Sequence, residues 1–227
     1  MTDIAVYIEG GGATAGQKAE LRRGFDALFA HEKSKAGEKR GSLRFVCCGG
    51  RQQAYEAFIN SLTVNPKTMN ALLVDSETPI APVPADKAQD AKVRIAHLRQ
   101  KDGAGGRGQG DGWKLPDNLA MRVHLMVQCM EAWIVADPDK LKEFYKKEFR
   151  RDSLPKRIDL EDELKPDVCS KLEKATEGTQ KGKYGKIKHA SKLLEMIRPE
   201  EISKHCPRFK IFRAWLIECI DTQPTVD

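Results

Sequence analysis

Short apolar runs that stop at glycine, acid or proline alternate with amphipathic stretches over the first 135 or so residues of the chain. The run DIAVYI (residues 3–8) stops at Glu9 and is followed by Gly10, Gly11 and Gly12. From about Gln17, the apolar residues Leu21, Phe25, Leu28 and Phe29 recur at helical spacing, and the polar segment 31–42 reads as a loop. LRFVCC (43–48) is a second strand, closed by Gly49, Gly50 and Arg51. A second helix then carries Tyr55, Phe58, Ile59 and Leu62 on one face, and Asn65-Pro66 turns the chain into MNALLVDSETPI (69–80). There Ala71 to Val74 is continuously apolar, as in a strand buried on both faces of a parallel sheet. Strand, helix, strand, helix, strand in that order predict a parallel, helix-covered sheet with right-handed crossovers.

Residues 86–99 read as a helix, and MRVHLMVQCM (121–130) is a fourth apolar run followed by Glu131, Ala132 and Trp133. Between them, residues 102–112 hold six glycines, which predicts a flexible loop or a flap over the strand ends. This segment neither follows a strand nor opens an apolar helix, so it is no dinucleotide fingerprint, and the chain has no P-loop. Asp137 followed by Pro138 marks a helix start. Helices are expected over 141–150, around Ile187, Ala190, Leu194 and Ile197, and over 208–220, with a connector at 151–166. In the last helix Phe212, Trp215, Leu216 and Cys219 form the seam that docks it. The expected architecture is α/β: about four parallel strands with flanking helices over residues 1–138, and a basic helical extension over 139–227 packed on that core.

Charge sharpens that division. The net charge is +6, from 39 Lys+Arg against 33 Asp+Glu. Residues 138–213 hold 21 basic and 14 acidic residues (+7), leaving 18 against 19 (−1) elsewhere. A basic excess confined to the C-terminal third suits either a polyanion such as nucleic acid or a well-solvated helical face. Six cysteines without a C-x-x-C pair read as reduced thiols rather than a zinc knuckle or disulfide frame. No apolar run is long enough to span a membrane, and the opening MTDIAVYIEGGG has no signal-peptide pattern, so a cytoplasmic location is expected.

The candidate chemistry sits where strands end in acid: Glu9, then Asp75 with Glu77, then Glu131. Ligands of open α/β sheets bind beyond the carboxyl ends of the strands. Asp75 and Glu77 are two apart, so on a straight strand both point the same way. Clustered carboxylates repel unless a cation or proton joins them, and magnesium-class ions favour such oxygen ligands. Capping and solvation of the same acids is the competing reading.

The strand ending in Glu9-Gly10, with a later one ending in Asp75-Ser76-Glu77, resembles the Toprim domain of topoisomerases, primases and OLD-type nucleases. More closely, YIEGGG, the Cys48-Gly49-Gly50-Arg51 turn, LLVDSE, CMEAW and Tyr184 to His189 resemble a family of small Toprim-related proteins. Those are encoded beside ABC- or SMC-like ATPases in bacterial defence or mobile-element operons. The resemblance implies a Toprim-like fold with Glu9, Asp75 and Glu77 as ligands of Mg2+ (or Mn2+). It also implies a nuclease acting on DNA or RNA, an ATPase partner and no membrane, and it leaves room for a homodimer. Two departures stand out: Glu77 replaces the usual second aspartate, and Thr78-Pro79 follows instead of glycine.

Around that centre, Glu131 would complete the acidic cluster. Arg51, Lys183, Lys186 and Lys188 would hold the nucleic-acid backbone. Lys186 and His189, three apart on one helix, would serve as charge stabiliser and acid. His97 and His124 read as structural. Two other functions compete. Val74-Asp75-Ser76-Glu77-Thr78 also resembles the D-x-D-x-T signature of haloacid-dehalogenase-like phosphohydrolases, in which Asp75 would be the nucleophile. The chain would alternatively be a non-catalytic subunit docking on an ATPase.

Overall fold

The computed structural model describes residues 2–84, 86–100 and 111–222. Strands β1 (Asp3–Ile8), β2 (Ser42–Cys47), β3 (Met69–Asp75) and β4 (Val123–Met126) form one all-parallel sheet in the order β2-β1-β3-β4. In register, Ile4 lies between Leu43 and Met69, and Ile8 between Cys47 and Leu73. Side chains alternate across the pleat. Ile4, Val6 and Ile8 join Phe25 and Phe45 on one face, while Ala5 and Tyr7 meet Phe58 and Ile95 on the other. Helices α1 (Ala15–Leu28) and α2 (Ala30–Glu38) cover the first face; α3 (Arg51–Val64) and α4 (Lys87–Arg99) cover the second. Each such Ile, Val or Phe side chain contributes about 1.5–3 kcal/mol by leaving water, so both faces of the sheet are anchored.

Local signals start the elements. Thr14 and Gln17 close a reciprocal capping box at the head of α1. Asp86 accepts from the amides of Ala88 and Gln89 to open α4. Asp137 caps α6 (Pro138–Tyr145), as the Asp-Pro pair predicts, and is also gripped by Arg198.

Beyond β4 come α5 (Met130–Val135), α6, α7 (Lys165–Thr176), α8 (Lys186–Leu194), α9 (Pro199–His205) and α10 (Pro207–Asp221). Apolar residues on either side of position 138 belong to one cluster: Trp133 packs edge-on against both Phe25 and Phe209. The seam expected on the last helix is present, with Phe212, Trp215 and Leu216 buried and Cys219 packed against them.

Several elements differ from expectation. The segment expected as a loop at 31–42 is mostly α2, which buries only Glu32 and Ala36 and so shows no apolar stripe. The run at 121–130 is not one strand: β4 takes four residues, and α5 begins at Met130. The helix expected to reach Arg150 stops at Tyr145, because Lys146 and Glu148 adopt left-handed backbone. Ile187, expected on the packed side of α8, is exposed. The glycine-rich flap expected at 102–112 falls largely outside the described residues, of which Asp111 and Gly112 are described. His97 and His124 are buried as structural residues: His97 Nε2 meets the Ser76 carbonyl, and His124 Nδ1 meets Arg94. All six cysteines are free thiols. Among the described residues no helix is long and apolar enough to cross a membrane.

Candidate metal centre

The chain leaves β1 for β2 on one side and leaves β3 for β4 on the other. The carboxyl ends of β1 and β3 therefore flank the switch point, where open α/β sheets form their ligand crevice. Glu9 follows β1, Asp75 closes β3 and Glu77 comes two residues later. One carboxylate oxygen from each of the three lies within 4.8 Å of the other two.

Each acid is held by a different device. Asp75 is 1% exposed, and its Oδ1 accepts the Met130 amide at 2.9 Å, at the head of α5. Its Oδ2 faces the ammonium groups of Lys165 at 3.4 Å and Lys186 at 3.5 Å. Glu77 does not reach the centre by straight-strand alternation. Its backbone is left-handed, φ +68°, and its amide donates to the Gln128 carbonyl at 3.0 Å. A non-glycine residue in that region costs roughly 1–2 kcal/mol, which the pairing to the 127–128 segment offsets. Glu9 is steadied by the Gly10–Gly49 bridge, which ties the loops after β1 and β2 together. Gly11 completes that turn at φ +91°, where a Cβ would stand 2.9 Å from the Lys18 Cα.

Charge at the centre is nearly balanced. Arg51 Nη1 lies 3.0 Å from Glu9 Oε2, and the same guanidinium clasps Asp111 and bonds the Asp75 carbonyl. Lys165 Nζ is 2.7 Å from Glu77 Oε1. Burial, then the Asp75 charge, holds the Glu9 carboxyl above its ordinary range against the opposing pull of Arg51. Burial pulls the Lys165 ammonium down, but Asp75 and Glu77 outweigh it and hold the group above the usual lysine range. For Lys186 burial again opposes, and Asp75 with Glu131 raises it further still.

Of the residues anticipated from sequence, Glu9, Asp75, Glu77, Arg51 and Lys186 come together here. Lys186 is delivered by α8, which packs tightly on α1: a Cβ on Gly24 would stand 2.7 Å from the Ser191 carbonyl oxygen. Glu131 is placed differently from the expectation. It sits in the first turn of α5 rather than at a strand end, and its oxygens face Tyr184, Lys186, Cys129 and Cys169. His189 is also corrected: it is 2% exposed, its Nδ1 lies between the Tyr145 hydroxyl and the Gly185 amide, and it presents no ring nitrogen to a substrate. Burial and then Lys188 push its pKa down, so it is neutral at pH 7. Lys183 pairs with Glu173, and Lys188 is exposed with its ammonium on the Lys181 carbonyl. Lys165 and Asp111 were missed. Pro166 in the first turn of α7 signals a helix start, but nothing local indicates that Lys165 reaches back 88 residues to Glu77.

Beside Glu9 a cavity of about 220 Å³ opens, with Gly11, Gln17, Leu21, Lys186 and Ile187 also in its lining. The three converging carboxylates are a hard oxygen donor set of the kind a magnesium-class cation takes, and such a cation would meet the Lys165 ammonium already on Asp75 and Glu77. By fold and site the chain is an all-parallel α/β protein with a candidate cation centre at its switch point. It belongs to the family described as "Domain of unknown function (DUF4276)", whose model matches residues 8–217. No curated protein and no solved structure matches it.

Proposed function

We propose that this chain is a divalent-metal-dependent nuclease that hydrolyses phosphodiester bonds of DNA or RNA, acting as the effector of an ABC- or SMC-like ATPase in anti-phage defence. The observation that carries the reading is the convergence of Glu9, Asp75 and Glu77 within 4.8 Å at the sheet's switch point. These three would hold Mg2+ or Mn2+. When bound, such an ion supplies Lewis acidity to a phosphoryl group and makes water a better nucleophile at neutral pH. The chain's own cations do the rest. Lys165 and Lys186, both raised above the ordinary lysine range, stay protonated at neutral pH. They therefore act on charge developing at phosphorus and not as proton donors. The cavity offers space for part of a nucleotide next to Glu9 and Lys186, and exposed lysines such as Lys188 supply salt-sensitive backbone contacts. The ATPase partner and the defence role rest on the Toprim-related sequence motifs.

The phosphohydrolase alternative fits less well, because an aspartate nucleophile must meet phosphorus. Asp75 is 1% exposed, with one oxygen on the Met130 amide and the other facing two lysines. The reading is tested by co-purifying the chain with the ATPase encoded beside it and assaying cleavage with magnesium. Asp75→Ala and Glu9→Ala should each abolish cleavage while the circular dichroism spectrum is unchanged. Wild-type cleavage by the double variant would end the proposal.

A further inference from the structure

Below the acidic rim lies a second group of ligating side chains. Cys129 precedes α5, Glu131 is in its first turn and Cys169 lies on α7; one ligand atom from each is within 4.8 Å of the other two. Cys129 is fully buried, Glu131 is 3% exposed and Cys169 is half-buried. This donor set differs in kind from the rim: two sulfurs and one oxygen select a zinc-class ion, whereas carboxylates alone select magnesium or calcium.

An independent observation points to a ligand here. Glu131 Oε1 accepts the Tyr184 hydroxyl at 3.1 Å, but the buried Oε2 accepts no hydrogen bond among the described residues. The nearest cation, Lys186 Nζ, is 3.6 Å away and is shared with Asp75, too far for a hydrogen bond. A buried carboxylate oxygen left in this state is unfavourable, and a cation between the three residues would remove that cost.

We propose that Cys129, Glu131 and Cys169 form a zinc-class metal site, separate from the carboxylate centre at the rim. In tetrahedral zinc sites sulfur stands about 2.3 Å from the ion, so two thiolates lie about 3.8 Å apart. From separations of no more than 4.8 Å, the two sulfurs need a contraction of at most about 1 Å, and each sulfur–oxygen pair at most about 1.3 Å, to meet that geometry. Charge closes as well. Two thiolates and a carboxylate bring −3, the ion +2, and the Lys186 ammonium beside Glu131 supplies the remaining +1. Binding releases the two thiol protons to solvent, and water takes the fourth position. The site ties α5 to α7, the two elements that hold Asp75 (through the Met130 amide) and Lys165. Its role is therefore to brace the rim.

The site is tested on the full chain, stripped of metal and kept reduced, with Co2+ as the probe. One equivalent should produce the near-ultraviolet sulfur-to-cobalt absorption of thiolate ligation. That band should be lost in Cys129→Ser/Cys169→Ser, kept in Cys48→Ser and displaced by Zn2+. It should also persist in Glu77→Gln, so its fate is independent of the nuclease reading. On the unmutated chain, Zn2+ but not Mg2+ should protect Cys169 from alkylation while leaving the modification of Cys48 unchanged, which guards against a double variant that does not fold. Co2+ binding without a sulfur band, a band that survives the double substitution, or Cys169 alkylated equally with and without Zn2+ would overturn the proposal.

Discussion

Lys165 occupies the space a cation would claim, so replacing it by methionine makes an unusual demand: metal should bind better. The ammonium stands 2.7 Å from Glu77 Oε1 and 3.4 Å from Asp75 Oδ2. An ion held by the same oxygens sits about 2 Å from them, hence no more than about 5 Å from Nζ, with about 4 Å as a representative separation. A divalent and a monovalent cation at 4 Å repel by roughly 2 kcal/mol in bulk water and about 8 kcal/mol at an effective dielectric of 20. The Lys165 side chain is 26% exposed and can swing outward, so the lower figure is the guide, and relaxation reduces it further. Lys165→Met should therefore tighten Mn2+ binding about tenfold, equivalent to roughly 1.4 kcal/mol. The metal-free variant should melt lower than the parent, because Asp75 keeps only the Met130 amide and Lys186 as partners, and its stabilisation by saturating Mn2+ should be larger. Isothermal titration calorimetry at matched ionic strength reads the affinity, and differential scanning fluorimetry the stabilisation. Mn2+ affinity that is unchanged or weaker in Lys165→Met would refute the idea that lysine and metal compete for these oxygens.

Gly24→Ala should separate α8 from α1, since its Cβ would meet the Ser191 carbonyl at 2.7 Å and the Leu194 Cβ at 3.1 Å. A cost of roughly 1–3 kcal/mol is expected from such overpacking, read by urea denaturation, together with loss of Lys186 from the rim and a fall in cleavage. Glu161 gives a pH signature. Burial raises its carboxyl from 4.5 to about 7, against the pull of Arg208. The folded chain then holds a proton that the unfolded chain releases, so the stability this group contributes is full below pH 4.5 and is lost as pH rises to about 7. The decline attributable to this group is about 3 kcal/mol. Glu161→Gln should flatten that slope in chemical denaturation between pH 5 and 7, and an unchanged slope would remove Glu161 as its source.

The strands that carry the centre were legible because each is a short, uninterrupted apolar run ending in acid or glycine, and burial on both faces leaves no other pattern. With β1 and β3 as neighbours, Glu9 and Asp75 meet. The position of Glu77 was legible, but its cause was not: a left-handed residue, not strand alternation, turns it inward. Helix α2 was hidden because charged residues with good helix propensity need only one or two buried positions when a neighbouring helix supplies the contacts. Glu131 and His189 were misplaced for a shared reason. Periodicity assigns a residue to a face, but whether that face meets the rim or the core depends on how α5 and α8 dock, and this is set by distant chain such as Gly24. Lys165 is the sharpest case, since a long-range ion pair leaves no local trace.

Whether Glu9, Asp75 and Glu77 share a cation can be read from anomalous diffraction at the manganese edge, using crystals of the full chain soaked in Mn2+. A peak within about 2–2.5 Å of oxygens from all three carboxylates, absent in Asp75→Asn crystals, is the predicted result. A saturated soak with no peak at the rim, or a peak that Asp75→Asn leaves in place, would contradict it.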